Sequence, residues 1–269
     1  MVSNAGCNNT DDLKALECLR SVNTTTLANA GKKVIDARPA TLYIFAPYLD
    51  GDFITSRPVE GFSSGNFAKV PVLFGANTNE GAHWSNDVRD PNANTSMPNA
   101  TENTVFNFLE GQYATFTSGT FDRAVSLYPL AEYQGSFSLQ GQQMYGEARF
   151  ICTASLITGG VAKSNVKAFQ YHYNNDHLSS DHATELVAFW GTPSTASDSD
   201  KALFKGMREF WSSFVTSGEP QSSLAIWSPT NEEGTRRLRL DPAGTHMEDM
   251  GVQKERCEFW HSISGEIDT

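Results

Sequence analysis

Val-Pro-Val-Leu-Phe-Gly-Ala-Asn-Thr-Asn-Glu-Gly, residues 70–81, decides how the rest of the chain is read. Val70 to Phe74 is an unbroken apolar run containing β-branched residues, which predicts a strand buried on both faces, as in the middle of a parallel sheet. Gly75 to Gly81 are turn-forming residues, which predict a break. Glu80 therefore falls just past the C-terminal end of a strand, where open α/β sheets gather their ligands and reactive groups. Taken alone, the stretch leaves two readings open: a catalytic carboxylate, or an ordinary Asn-Glu-Gly turn.

Outward from that strand, Ala168 to Tyr173 predicts a second central strand and Leu238 to Leu240 a short late one. Between and around them lie helical patterns. Asp11 to Ala30 reads as one or two short helices with Asp11 as an N-cap. Val105–Phe116 and Gln142–Gly159 follow, the latter with its period carried by Met144, Ala148, Ile151 and Ser155. Asp200 to Thr216 is the clearest, since Leu203, Met207, Phe210, Trp211 and Phe214 share one face. Val252 to Ser262 predicts a closing helix. Leu42 to Ile54 reads as extended, ending at the Asp50-Gly51 turn, and 87–101 as a loop. Strands alternating with helices predict an α/β fold with a largely parallel central sheet flanked by helices, undivided by any linker.

His182 stands in Asn-Asn-Asp-His-Leu-Ser-Ser-Asp-His-Ala-Thr-Glu, residues 174–185, just after the second strand. A loop there can present an imidazole at the same sheet edge as Glu80, or can simply expose it to solvent. Metal chemistry is not expected. Glu80 and His83 are three apart and His172 and His177 five apart, and neither set matches a zinc-ligand pattern. No cofactor motif is present either. Trp84, Phe189 and Trp190 are candidates for lining a substrate pocket, with core packing as the alternative for Phe189 and Trp190.

Gly61-Phe-Ser-Ser-Gly65 matches the G-x-S-x-G pattern of a nucleophile elbow and gives a Ser, Glu, His order. An elbow needs a buried strand before its serine and a helix after it. Ser-Arg-Pro-Val-Glu before the match does not read as a buried strand, and Pro71 bars a helix from continuing past Gly65. Ser63 is therefore expected to be a chance match in a loop.

The formal charge of −11 disfavours nucleic acid and anionic membrane surfaces as partners. The richest apolar stretch, Leu42 to Leu49, is short and interrupted by Pro47, so no transmembrane segment is predicted. Four cysteines and four N-x-[ST] sequons, at Asn8, Asn23, Asn94 and Asn99, point to an oxidising secretory route and glycosylation. Yet Met1 to Cys7 hold neither a basic nor an apolar leader region. The chain is accordingly expected to be a piece of a longer secreted protein whose signal peptide lies upstream.

Read together, these stretches resemble the type-B carboxylesterase/lipase family, the cholinesterase-like branch of the α/β hydrolases. Phe45-Ala-Pro-Tyr-Leu-Asp-Gly-Asp-Phe-Ile54 is similar to an extended segment of that family, and Met207 to Pro220 resembles its late helix with a Gly-x-Pro end. Residues 70–81 resemble the strand and turn bearing the triad acid. The resemblance thus implies that role for Glu80, the role of base for His182 in Ser-Ser-Asp-His-Ala-Thr-Glu, and a supporting role for Glu185. It also implies disulfides Cys7–Cys18 and Cys152–Cys257. Residues 1–269 would then be the C-terminal half of a carboxylesterase type-B domain, lacking the upstream oxyanion-hole and nucleophile segments. The implied function is hydrolysis of small-molecule or lipid esters by a serine nucleophile, with this chain inactive alone. The alternative is a non-catalytic cholinesterase-like extracellular adhesion or binding module.

Overall fold

The computed structural model describes residues 1–267. Its four-stranded sheet has the order β1 (Val72–Asn77), β2 (Ala168–Tyr173), β3 (Arg236–Leu240) and β4 (His246–Asp249). The first three strands run parallel, and β4 returns antiparallel along β3. Pro71 has no N–H to give to a ladder, and β1 begins at the next residue.

Two features of β1 differ from the sequence reading. The strand continues through Gly75 to Asn77, pairing in register with Ala168 to Tyr173. Gly75 belongs in the strand because a Cβ there would come within 2.3 Å of the Tyr171 ring, which lies across it from β2. Nor is the strand buried on both faces: Val70 is 56% and Phe74 44% exposed, and only Ala76 and Asn77 are buried. The cause is position, since β1 is the outer strand of the sheet among the described residues.

The helices are α1 (Asp12–Ser21), α2 (Thr24–Asp36), α3 (Pro58–Ser64), α4 (Glu102–Gln112), α5 (Ser118–Leu127), α6 (Phe137–Gly146), α7 (Cys152–Lys163), α8 (Val187–Trp190), α9 (Asp198–Ser217), α10 (Gln253–Ser262) and α11 (Ser264–Ile267). Asp11 caps α1 by accepting from Leu13 N and Lys14 N, and Asn23 caps α2 by accepting from Thr26 N. A π-helical turn, Glu147–Ile151, joins α6 to α7. Residues 42–54 form no strand; Asp50 closes their turn by accepting from three successive backbone N–H groups, of Asp52, Phe53 and Ile54.

Two apolar clusters hold the layers together. The stripe on α9 packs Leu203, Phe204, Met207 and Phe210 against Phe169, Tyr173, Leu238 and Leu240 of the sheet. The second gathers Phe108, Tyr128, Tyr145, Ile151 and Trp260 from the helical layer. Trp190 belongs to neither core; it is 80% exposed at the end of a one-turn helix, while Phe189 is half-buried with its ring tilted against Trp211. Cys7 bonds Cys18 and Cys152 bonds Cys257. Under the chain-entropy account these closures restrict the unfolded chain by about 3 and about 5 kcal/mol. Among the described residues no helix is long and apolar enough to cross a membrane.

Candidate active site

β1 delivers Glu80 through a turn pressed backbone-to-backbone onto the helical layer. A Cβ on Gly81 would fall 1.7 Å from the Gln142 carbonyl oxygen, and one on Gly146 would fall 2.5 Å from Gly81 N. Only paired glycines permit that approach. The packing leaves Glu80 6% exposed, with Oε1 accepting from Asn77 N at 2.7 Å. Its backbone oxygen takes the Trp84 indole N–H at 2.8 Å.

β2 delivers His182 through a longer loop, tied down at several points. Buried Asn175 accepts from His177 N and Leu178 N and donates to Asp200 Oδ1 at 2.9 Å. Asn175 N donates to Ser180 Oγ at 2.6 Å. Asn79 N donates to Ser180 O at 2.9 Å, and Asn79 and Asp181 form a parallel bridge that extends the β1–β2 pairing into both loops. Of the five non-glycine residues with positive φ among the described residues, three flank the site: His83 at 67°, Ser179 at 82° and Ala183 at 64°. Left-handed backbone at ordinary residues persists only where surrounding contacts fix it.

These loops bring His182 Nδ1 to 2.6 Å from Glu80 Oε2. An ionised carboxylate only accepts, so Nδ1 carries the hydrogen and Nε2 is left as the basic nitrogen. Burial pushes the Glu80 carboxyl above its ordinary value, even though Asn77 N–H and His182 both favour its charged form. The imidazole is 41% exposed and packs against two aromatic rings that stack on each other, Phe150 at 4.7 Å and Trp84 at 5.2 Å between centroids. Beside it opens a cavity of about 230 Å³ lined by Phe74, Gly75, Arg149, Phe150 and Tyr171 among others. No serine lines it among the described residues. The arrangement can accept a proton at Nε2 and stabilise the resulting imidazolium against a buried carboxylate.

Glu185 lies at the same place. Its Oε2 accepts from Asn77 Nδ2 at 2.6 Å. Burial and the facing carboxylates of Glu185 and Glu80 push the Tyr171 phenol far up. Ser63 is elsewhere. It sits exposed in the last turn of α3, not in a loop, beside Ser155, Gly159, Lys163 and His261. The helix was hidden because Pro58 opens it and Gly65, left-handed at φ 77°, closes it within seven residues. His83 pairs at 3.3 Å with Asp181 at the rim, and no group of three potential metal ligands occurs among the described residues. Asn8, Asn23 and Asn99 are exposed, whereas Asn94 is partly buried and donates its amide to Val88 O at 3.3 Å.

Sequence reasoning missed Asn77, Phe150 and Tyr171. Tyr171 was readable in principle as the one partly exposed position of an otherwise buried β2. Phe150 owes its place to the π-helical turn, whose extra residue rotates it off the helical period. Asn77 is defined only by tertiary contacts.

A carboxylesterase family model matches residues 1–260. Acetylcholinesterase of Bungarus fasciatus is 24% identical over 281 residues, covering 95% of this chain and 45% of that protein. Acylcarnitine hydrolase of Rattus norvegicus is 22% identical over 284 residues, covering 95% of this chain and 46% of that one. The crystal structure of Aspergillus niger EstA superposes with a TM-score of 0.77 at 23% identity, covering 100% of this chain and 54% of that chain. The chain thus spans about half the length of the curated relatives it matches.

Proposed function

The chain belongs to the carboxylesterase family, and from that premise we propose that it supplies the acid and base of a serine ester hydrolase. Glu80 is the acid, His182 the base, and Glu185 supports the pair. One observation carries the reading: His182 sets Nδ1 2.6 Å from a buried carboxylate, keeps Nε2 without a partner among the described residues, and lines a cavity. The nucleophile and oxyanion donors come from polypeptide outside these 269 residues, since no serine lines that cavity among the described residues. In the complete site, Nε2 removes the serine proton as the oxygen attacks the ester carbonyl, and then returns it to the leaving alcohol. Glu80 holds the tautomer and offsets the imidazolium charge through both steps. The two neighbouring rings keep the imidazole from swinging out of line, which a general base requires. The substrate class is a small-molecule or lipid ester. Two disulfides and the exposed sequons Asn8, Asn23 and Asn99 support a secreted glycoprotein.

A fluorophosphonate probe tests the assignment. The 269-residue chain alone should not label. A polypeptide encoded with its upstream sequence should label at a serine outside this chain, and lose the label in His182→Ala. Labelling of this chain at Ser63, lost in both Ser63→Ala and His182→Ala, would overturn it.

A further inference from the structure

Asn77 is the last residue of β1 and is 1% exposed. Three separate parts of the site converge on it. Its backbone N–H donates to Glu80 Oε1 at 2.7 Å. Its side-chain Nδ2 donates to Glu185 Oε2 at 2.6 Å and to the backbone oxygen of Asp181, the residue before His182, at 2.7 Å. Both neighbours of Nδ2 can only accept, so the amide cannot be turned the other way. The consequence is that Asn77 Oδ1 lies buried without a hydrogen-bond partner. A buried unpaired acceptor is costly and calls for a reason. Here the reason is geometric: a single residue spans two carboxylates and the base loop, its backbone N–H on Glu80 and its side-chain amide on Glu185 and Asp181 O, and bonds to carboxylate oxygens are the strong kind.

We infer that Asn77 is a positioning residue for the Glu80–His182 pair, its side chain tying the His182 loop and Glu185 to the strand end that carries Glu80. The inference rests on the reading of that pair as acid and base, but its geometry can be tested without catalysis. Other residue types fail for stated reasons. Aspartate brings a third carboxylate beside Glu80 and Glu185. Leucine fills the volume but takes the donor away from Glu185 Oε2 and leaves Asp181 O to its local bonds from Thr184 alone. Serine is too short to span both.

The experiment is proton NMR of the 269-residue chain, following the low-field Nδ1–H signal of His182, identified by its absence from His182→Gln. Amide exchange at Asp181–Thr184 is read alongside. In Asn77→Ala the signal should broaden or vanish, and exchange at those amides should accelerate by about tenfold or more, as for a lost anchoring hydrogen bond. Glu185→Gln, which keeps the shape but discharges the acceptor, should weaken the signal in the same direction. It serves as the test should Asn77→Ala not fold. Gln112→Ala is the control, because that side chain also bridges two backbone oxygens, Ala40 O and Phe108 O, and makes no hydrogen bond to Glu80, Asp181, His182 or Glu185. It should lower stability and leave the His182 signal unchanged. A His182 signal intact in both Asn77→Ala and Glu185→Gln overturns the inference. Absence of the signal from the unmodified chain would instead remove the acid–base reading beneath it.

Discussion

His172 and His182 each bring Nδ1 to a glutamate, at 2.7 Å from Glu248 and 2.6 Å from Glu80, and both belong to the same strand-and-loop unit. Their second nitrogens separate them. His172 lies within β2 with its side chain 9% exposed, and its Nε2 is 2.8 Å from the Thr78 hydroxyl. Glu248 is committed as well, holding Arg237 Nε at 2.7 Å. His182 lies past the strand and lines the cavity, 41% exposed, and its Nε2 has no partner among the described residues. A histidine–carboxylate contact is therefore no catalytic signature in itself. A base needs one nitrogen fixed and the other available; His172 has both occupied and serves to hold strands together.

The hardest test of that contrast is activity in the catalytically complete polypeptide. His182→Ala should lower kcat by about 10⁴-fold, as for removal of a triad base. His172→Ala should leave kcat within a few-fold while reducing resistance to urea. A loss of comparable size in both variants would mean that the buried pair also takes part in the chemistry.

The two glutamates should next part in their pH dependence. Burial would raise the Glu248 carboxyl, but the His172 hydrogen bond and the Arg237 charge outweigh it and hold it down to about 2. A lowered folded value means stability that is complete above about pH 4.5 and is lost as pH falls toward 2, amounting to about 3 kcal/mol. Glu80 is raised, so its folded form holds a proton more tightly than its unfolded form. Its ionisation costs stability at neutral pH, and that cost disappears as pH falls toward 4.5. Urea melts from pH 7 to pH 3 should therefore show the unmodified chain losing ground to Glu248→Gln and gaining on Glu80→Gln. Slopes of the same sign would break the distinction.

The contrast between the pairs was only partly legible in the sequence. β2 could be read to the residue because five of its six positions are buried and apolar or aromatic residues recur through it. β1 starts two residues and ends three residues later than its apolar run, since Pro71 delays the ladder and Gly75 is held in the strand by a neighbouring ring. β4 (His-Met-Glu-Asp) has no strand pattern at all; the turn Asp241 to Thr245 folds it back against β3, and with it Glu248 against His172. Glu80 and His182 could be paired from their places after two strands and from the family resemblance. Nothing in local composition revealed that His172 was the occupied one, because the occupancy comes from Thr78 and Glu248, remote in sequence.

A smaller effect is expected from the aromatic rings around His182, which His172 lacks. Trp84→Leu removes one ring from the imidazole and the indole bond to Glu80 O. Ring contacts of this kind contribute about 0.5–1.5 kcal/mol, so kcat should fall by roughly tenfold or less. The His172 ring signals in an NMR spectrum should not move. A Trp84→Leu enzyme with unchanged kcat would show that the carboxylate alone orients the base.

The smallest effect is expected at Ser63, which carries the only elbow-like spelling in the chain and serves to delimit what a spelling can mean. A nucleophilic serine must project from a strained turn between a strand and a helix, beside backbone N–H donors. Ser63 instead occupies the final turn of α3, exposed, on the face shared with Lys163 and His261. Its glycines answer to other demands. Gly61 is buried with a Cβ position 3.3 Å from Asn66 O, and Gly65 takes the left-handed conformation that closes the helix. His261 shares that face, but its Nε2 is held 2.8 Å from Cys152 O and no hydrogen bond joins it to Ser63 among the described residues. Ser63→Ala should thus change stability by less than about 0.5 kcal/mol, as for an exposed site without special contacts, and leave esterase activity of the complete polypeptide unaltered. A drop of more than about tenfold in kcat would bring α3 into the site and return the spelling to the mechanism.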